Sequence, residues 1–345
     1  MRTILVLLSL LTIQISETHA QDDRDESAQV SQLDSYETED ISLVKEHAEL
    51  GFPNAQYWLG KLNHEGIGID KDFKEAVKWW EKAAEQGHAR GRNGLGVCYQ
   101  NGQGVEKDYE EALRLFILAA DQGLALAKNN LGNLYEYGNG TTKNLTKAFK
   151  QYLSSAESGN AWAQNRVGYF YKTGRGVELD FAAARSWYEK AAEQEYAEAQ
   201  NNIGLLYDRG NGVEKDNKEA FHWYMKSANN GYKWAQGNLG IMYHNGRGVE
   251  KDYDQAMKWY LKAAEQNHDH AQYNIGILYY YGYGVERDYV AAASWYRKAA
   301  EQNYAEAQNR LGICYEYGNG VGKSLKQAAS SVSYTHLTLP TKRIV

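Results

Sequence analysis

The chain has 345 residues, 43% of them apolar and 24% charged, with 33 glycines and only two prolines. The apolar share excludes wholesale disorder and lies slightly below that of ordinary globular domains, which argues against one large core, while two prolines exclude polyproline and collagen-like segments. The net charge of −6 gives no support to a nucleic-acid binder.

The first twenty residues read as an address. Arg2 precedes an apolar run from Ile4 to Ile15, and Thr18-His19-Ala20 offers a small-residue cleavage site before Gln21. The run is too short to cross a bilayer as a helix, which takes about twenty residues. Residues 1–20 are therefore expected to be a signal peptide. No later apolar run approaches that length, so the mature chain is expected to be exported without a transmembrane segment. Its destination would be a bacterial periplasm or exterior, with a eukaryotic secretory lumen as the alternative. In the eukaryotic case Asn139-Gly-Thr141 and Asn144-Leu-Thr146 are glycosylation acceptors. Residues 21–40 are acidic, Ser/Gln-rich and poor in large apolar groups. Such a stretch buries too little to offset its ordering entropy, and a disordered tail is expected.

From there a repeat governs the chain. A glycine follows Leu, Val or Ile at Gly60, Gly96, Gly132, Gly168, Gly204, Gly240, Gly276 and Gly312, without an insertion between any two copies. Tyrosine stands three residues later in every copy except at Asn63, and a G-x-G pair follows each (Gly66/Gly68 through Gly318/Gly320). Self-similarity at this period marks a stacked array. Its units are 52–87, 88–123, 124–159, 160–195, 196–231, 232–267, 268–303 and a partial 304–330.

Each unit reads as two helices. In the first, small and apolar residues recur at helical spacing, as in Ala199, Ile203, Leu206 and Tyr207. The Leu-Gly glycine costs about 1 kcal/mol of helix propensity, which makes sense if a side chain there would block close packing. The first glycine of G-x-G is placed to stop the helix in a left-handed conformation. The second helix is expected to start at Asp72, Asp108, Asn144, Asp180, Asp216, Asp252, Asp288 or Ser324, all good N-caps. Glu75, Glu111 and Glu219 suit a capping box. An aromatic pair such as Trp187-Tyr188 and a Lys-Ala-Ala follow. A closing Gly or Asn ends most copies (Gly87, Gly123, Gly159, Gly231, Asn267, Asn303). Trp79, Trp187, Trp223, Trp259 and Trp295 are expected in the core, because aromatics at helical spacing usually pack. Neither helix buries its stripe alone; stacking on the next pair does so.

These residues carry a resemblance. GVEKDYEEALRLFILAADQGLALAKNNLGNLYEYG and GVEKDYDQAMKWYLKAAEQNHDHAQYNIGILYYYG resemble the Sel-1-like repeat, a relative of the tetratricopeptide repeat, over about residues 52–330. The resemblance implies an all-α fold, a right-handed αα-hairpin superhelix (tetratricopeptide-like solenoid) of about eight 36-residue repeats. It also implies service as an adaptor or scaffold for a protein or peptide partner. Upstream, Ala48 and Gly51 keep the register of a second helix with Ala84 and Gly87, so residues 41–51 are expected to be a capping half-repeat. Downstream the register fails: Ser331 and Val332 stand where Trp-Tyr should be, and Leu339 where Gly or Asn should be. Residues 331–345, SVSYTHLTLPTKRIV, are expected to be a non-native or truncated tail outside the fold; Pro340 and the β-branched threonines suit no helix.

Catalytic and metal chemistry find little foothold. Cys98 and Cys314 share a phase six repeats apart, so with layers about 8–10 Å apart they lie roughly 50–60 Å from each other, far beyond disulfide reach. Buried free thiols are expected. This departs from the cysteine-rich branch of the family, whose repeats each carry a disulfide, so that branch's activities do not transfer. Ser42-Leu-Val-Lys45 fits the S-x-x-K of penicillin-recognising hydrolases but lacks the companion motifs and a strand-rich region. His268, Asp269 and His270 are the densest set of metal-ligand types, yet neighbours on a helix point to different faces, and an exposed helix start is expected. The G-x-G pairs lack a preceding strand for dinucleotide binding. No enzyme activity, cofactor or metal is expected.

A binding face is the better candidate. In tetratricopeptide-like solenoids the first helices line a concave groove. Here the position three before the Leu-Gly glycine holds Asn93, Asn129, Asn165, Asn201 and Asn309, interrupted by Tyr57, Gly237 and Tyr273. By resemblance this ladder would clamp the backbone of an extended peptide, since each side chain offers donor and acceptor. The competing reading has the asparagines bonding helix to helix. Tyr280 lies four after its glycine, Tyr137, Tyr281 and Tyr317 five after. Trp162 and Trp234, six before, would add rigid aromatic anchors. The alternative function is an envelope carbohydrate-binding module, for peptidoglycan glycan, with tyrosines as stacking platforms.

Overall fold

The computed structural model describes residues 41–336, and side chains through Ser331. The expected signal peptide and acidic tail lie outside the described residues. Among those described there are seventeen helices and no strand. They fall into two compact units, one ending at Ser158 and the other beginning at Gly159.

The first unit opens with α1 (Ile41–Glu49), which buries Val44 and Ala48 beside Ala55 and Leu59 of α2. Three hairpins follow: α2 (Pro53–Glu65) with α3 (Phe73–Glu85), α4 (Ala89–Asn101) with α5 (Tyr109–Ala120), and α6 (Ala125–Tyr137) with α7 (Leu145–Glu157). The second unit holds five: α8 (Ala161–Thr173) with α9 (Phe181–Glu193), α10 (Ala197–Arg209) with α11 (Asn217–Asn229), α12 (Lys233–Asn245) with α13 (Tyr253–Glu265), α14 (Asp269–Tyr281) with α15 (Tyr289–Glu301), and α16 (Ala305–Tyr317) with α17 (Leu325–His336). The last helix runs past Ser330, where the sequence register breaks, because Ser331–His336 contains no helix breaker. Residues 337–345 lie outside the described residues.

The eight first-helix ends behave as the glycines predict. Gly66, Gly102, Gly138, Gly174, Gly210, Gly246, Gly282 and Gly318 all sit in the left-handed region at φ between 64 and 78°. The eight expected caps accept hydrogen bonds from the first turns of the second helices, as Asp72 Oδ1 does from Lys74 and Glu75 N and Ser324 Oγ from Gln327 N. The capping boxes do not form. The N–H of each cap residue is already taken by a carbonyl nine residues upstream, Asp72 N by Asn63 O at 2.8 Å and Asp108 N by Tyr99 O at 2.9 Å. Glu75 and Glu111 turn instead to Lys78 and Arg114.

Within a hairpin, the Leu-Gly glycine is a contact point. A Cβ on Gly60, Gly96, Gly132, Gly168, Gly204, Gly240 or Gly276 would come within 2.7 Å of the ring of Trp80, Phe116, Tyr152, Tyr188, Tyr224, Tyr260 or Tyr296. That second aromatic of each pair is the buried one. The first is not, which corrects the core expectation. Trp79, Trp187, Trp223 and Trp295 are half-buried, and only Trp259 is buried. Helical geometry puts consecutive residues on different faces, so one ring enters the hairpin while its neighbour lies along the flank. There each Trp ring carries a lysine, with Nζ of Lys82, Lys190, Lys226, Lys262 and Lys298 4.0–4.6 Å from the ring centroid.

The closing position after the second helix also needs a left-handed residue. Asn267 and Asn303 supply it at φ 56 and 66°, but Glu195 stands there at φ 60°, a conformation costing an ordinary residue about 1–2 kcal/mol.

Candidate functional site

Neighbouring first helices are tied by side chains thirty-seven residues apart. Asn130 Nδ2 donates to Asn93 Oδ1 at 2.9 Å in the first unit. In the second, Asn202 donates to Asn165 at 2.9 Å and Asn238 to Asn201 at 3.0 Å. Asn165 and Asn201 are buried, as is Asn129; Asn93 is half-buried and Asn309 exposed. Three members of the proposed ladder thus use their carbonyl oxygens on the next helix, which is the helix-to-helix reading weighed above.

A second row runs four residues after the Leu-Gly glycine and at three places links a first helix to the G-x-G turn of the following repeat. His64 Nε2 pairs with Gln103 Oε1 at 3.1 Å, Asp208 forms an ion pair with Arg247, and Asn319 Nδ2 donates to the Tyr280 hydroxyl at 3.1 Å. In the first unit the same position holds Glu136, fully buried, with its Oε2 2.9 Å from the Tyr152 hydroxyl. Lys172 occupies it in the second unit, and burial lowers its ammonium pKa.

The remaining sequence candidates spread along the same helices. Tyr137, Tyr281, Tyr317 and Trp234 are exposed, at 63%, 45%, 66% and 49%. Trp162 and Tyr280 are half-buried. Trp234 and the tyrosines of the sixth and seventh repeats join one aromatic seam. Trp234 meets His268 edge-on at 4.4 Å, Tyr281 stacks on Tyr283 at 5.4 Å, and Tyr283 stacks on Tyr253 at 5.0 Å.

The histidine cluster is not the exposed one expected. His268 is 3% exposed and caps α14, its Nδ1 accepting from Ala271 N at 3.0 Å; burial pushes its pKa down to about 4. The cap fixes the tautomer, so the ring is neutral and structural. No group of His, Cys, Asp and Glu among the described residues is arranged to hold a metal ion. Ser42 and Lys45 are both exposed on α1. Cys98 and Cys314 are free and buried, and burial pushes the Cys98 thiol up to about 12.

One constellation escaped the sequence reading. A buried Gln four residues before the Leu-Gly glycine clamps three successive helices. Gln236 Nε2 donates to Ala228 O at 3.3 Å, while its Oε1 accepts from Gln266 Nε2 at 2.9 Å, and Gln266 also donates to Gly231 O at 3.0 Å. Gln56 with Gln86, Gln164 with Gln194, Gln200 with Asn230 and Gln272 with Gln302 form the same pair. The signal was present as a Gln or Asn thirty residues after each Gln.

Eight consecutive segments, 53–88, 89–124, 125–160, 163–196, 197–232, 235–268, 269–304 and 305–330, match the Sel1 repeat. The chain belongs to the Sel1 repeat family. Sel1 repeats are scaffolds that in general mediate protein–protein interactions, and their fold is the all-α hairpin solenoid that the resemblance implied. Among solved Sel1 structures, the chain is similar to c5321, a protective antigen present in uropathogenic Escherichia coli strains. The two share 37% identity at a TM-score of 0.72, over 86% of this chain and 64% of that one. The chain thus spans less than two thirds of that relative. A Sel1 repeat protein from Oxalobacter formigenes is 32% identical at a TM-score of 0.65, over 87% of each chain. No curated protein matches.

Proposed function

We propose that this Sel1 repeat protein is an exported, non-catalytic scaffold that holds an extended polypeptide partner along its first-helix groove. One observation carries the reading: in the second unit Trp234, Tyr281 and Tyr317 stand exposed on first helices that Gln236, Gln272 and Gln308 tie to the preceding helix by hydrogen bonds. Large exposed aromatics on a fixed backbone are what protein hot spots use, because little side-chain entropy is lost on binding. Export rests on the apolar run before Gln21, and the periplasm or cell exterior is the proposed location. The groups that a catalytic reading would use are engaged in packing, His268 as a helix cap and both cysteines as buried thiols.

A glycan reading has the Tyr253–Tyr283–Tyr281 stack in its favour. The two separate in one experiment. The full chain is tested against peptide pools and against peptidoglycan fragments. Capture of peptides, weakened several-fold by Trp234→Ala with Asn309→Ala at an unchanged thermal midpoint, supports the scaffold. Capture of glycan alone would replace it. The exposed pair is chosen because Asn165 and Asn201 are structural, and removing them would confound binding with folding.

A further inference from the structure

The pair of positions that ties neighbouring first helices holds two asparagines at three steps and other residues at the rest. Asn93–Asn130, Asn165–Asn202 and Asn201–Asn238 are neutral amide pairs. At the same two positions of the seventh and eighth repeats stand Tyr273 and Arg310. The step before is open: Gly237 offers Asn274 no side chain, and Asn274 turns back to His270 O at 2.9 Å.

Arg310 is half-buried, with its guanidinium against the Tyr273 hydroxyl and Nη1 donating to the Tyr281 hydroxyl at 3.4 Å. No carboxylate among the described residues is within ion-pair distance of it, and the groups that act on its charge are tyrosines. Beneath lies a third hydroxyl, that of Tyr296 on α15. Tyr296 is fully buried, its hydroxyl has no hydrogen-bond partner, and its electrostatic neighbours are Arg310, Cys314, Tyr273 and Tyr281. Burial raises the Tyr296 pKa, so the phenol keeps its proton and is a donor without an acceptor. The Tyr188 and Tyr224 hydroxyls, in the same phase, are unpartnered too; what sets this place apart is a guanidinium with five donors and no counter-charge beside the phenol.

We propose that Arg310, with the Tyr273, Tyr281 and Tyr296 hydroxyls, binds a side-chain carboxylate of an acidic residue within the extended peptide partner. This rests on the groove reading above and names the partner's chemistry. A carboxylate has the lone pairs to accept from the guanidinium fork and from a phenol at once. Exposed positions continue on both sides of the anchor, Trp234 before it and Asn309 and Tyr317 beyond it. The peptide therefore passes through, which favours an internal Asp or Glu over a chain terminus.

The test uses the full chain and a randomised library of nonapeptides blocked at both ends by acetyl and amide groups. Selected peptides are expected to share an Asp or Glu at one position, and its replacement by Asn or Gln weakens binding at least about tenfold. Arg310→Gln abolishes that discrimination, bringing the acid and amide versions to similar affinity; Arg310→Lys restores it only in part, since the fork is lost. If Arg310→Gln shifts the thermal midpoint, Tyr281→Phe gives the same readout through the loss of one hydroxyl, as reduced acid-over-amide discrimination. Peptide capture with no acid preference, an acid preference that survives Arg310→Gln, or a preference confined to free C-terminal carboxylates in a parallel unblocked library overturns the proposal and leaves the groove standing. Failure to capture any peptide overturns both.

Discussion

Replacing Gly204 by alanine sets two effects against each other. Helix propensity alone favours Ala over Gly in mid-helix by about 1 kcal/mol. Packing says otherwise. The new Cβ would lie 2.7 Å from Cδ1 and Cε1 of Tyr224 and 3.3 Å from Ala220 O. Ordinary carbon contacts begin at about 3.5 Å, so the ring or the helix must give by most of an ångström. Tyr224 is only 1% exposed, within a cluster that includes Ala220, Leu239 and Met242. Overpacking of this kind costs about 1–3 kcal/mol and has no exposed route to relax. The expected net result is a loss of up to about 2 kcal/mol despite the better helix former. Urea unfolding followed by circular dichroism reads the midpoint, with Tyr224→Leu and the double variant completing a cycle. The two substitutions should couple by about 1 kcal/mol or more, since the smaller side chain makes room for the methyl. A stabilised Gly204→Ala, or strict additivity, would refute close packing as the reason for the glycine.

Other consequences follow from single residues. Asn202→Ala strands the buried Asn165 carbonyl and should cost about 1–3 kcal/mol by the same unfolding assay. Glu195→Gly should raise stability by about 1 kcal/mol, because glycine occupies φ 60° without strain. His268 has a folded pKa near 4, below the usual 6.5. The unfolded chain therefore takes its proton first, and the stability from neutral His268, present above pH 6.5, is lost as pH falls toward 4. His268→Asn keeps a capping side chain, as Asn160 does in the same phase, and should flatten that part of the stability–pH curve. Cys98 and Cys314, buried with raised pKa values, should resist iodoacetamide in the native protein and react on unfolding.

The backbone plan was legible because it rests on residue types with few alternatives. Glycine at a left-handed helix end, Asp, Asn or Ser at an N-cap, and glycine against an aromatic ring are each forced by geometry, and the unbroken spacing puts them in phase. Side-chain partnership was less legible. Trp187 and Tyr188 are chemically alike, and a rotation of one residue about the helix decides which is buried. Glu75 suited a capping box, but the cap's N–H had a backbone partner that only the three-dimensional turn supplies. The asparagine ladder is compatible in sequence with a peptide clamp or with helix-to-helix bonding, because its period is visible there and its partners are not. The offset of thirty-seven, one more than the repeat, shows that each Asn meets the residue after its counterpart. The exchange of Asn–Asn for Tyr273–Arg310 becomes visible only once that offset is known. Gln236 and Gln266 went unread for the same reason, being polar residues whose burial depends on the neighbouring repeat.

Amide hydrogen exchange on the full chain, with and without a peptide taken from the blocked library, tests the central claim most directly. Binding along the first helices predicts slowed exchange in α12, α14 and α16, with α13 and α15 little changed. Protection concentrated in the second helices, or in the Trp–Lys flanks, would contradict it.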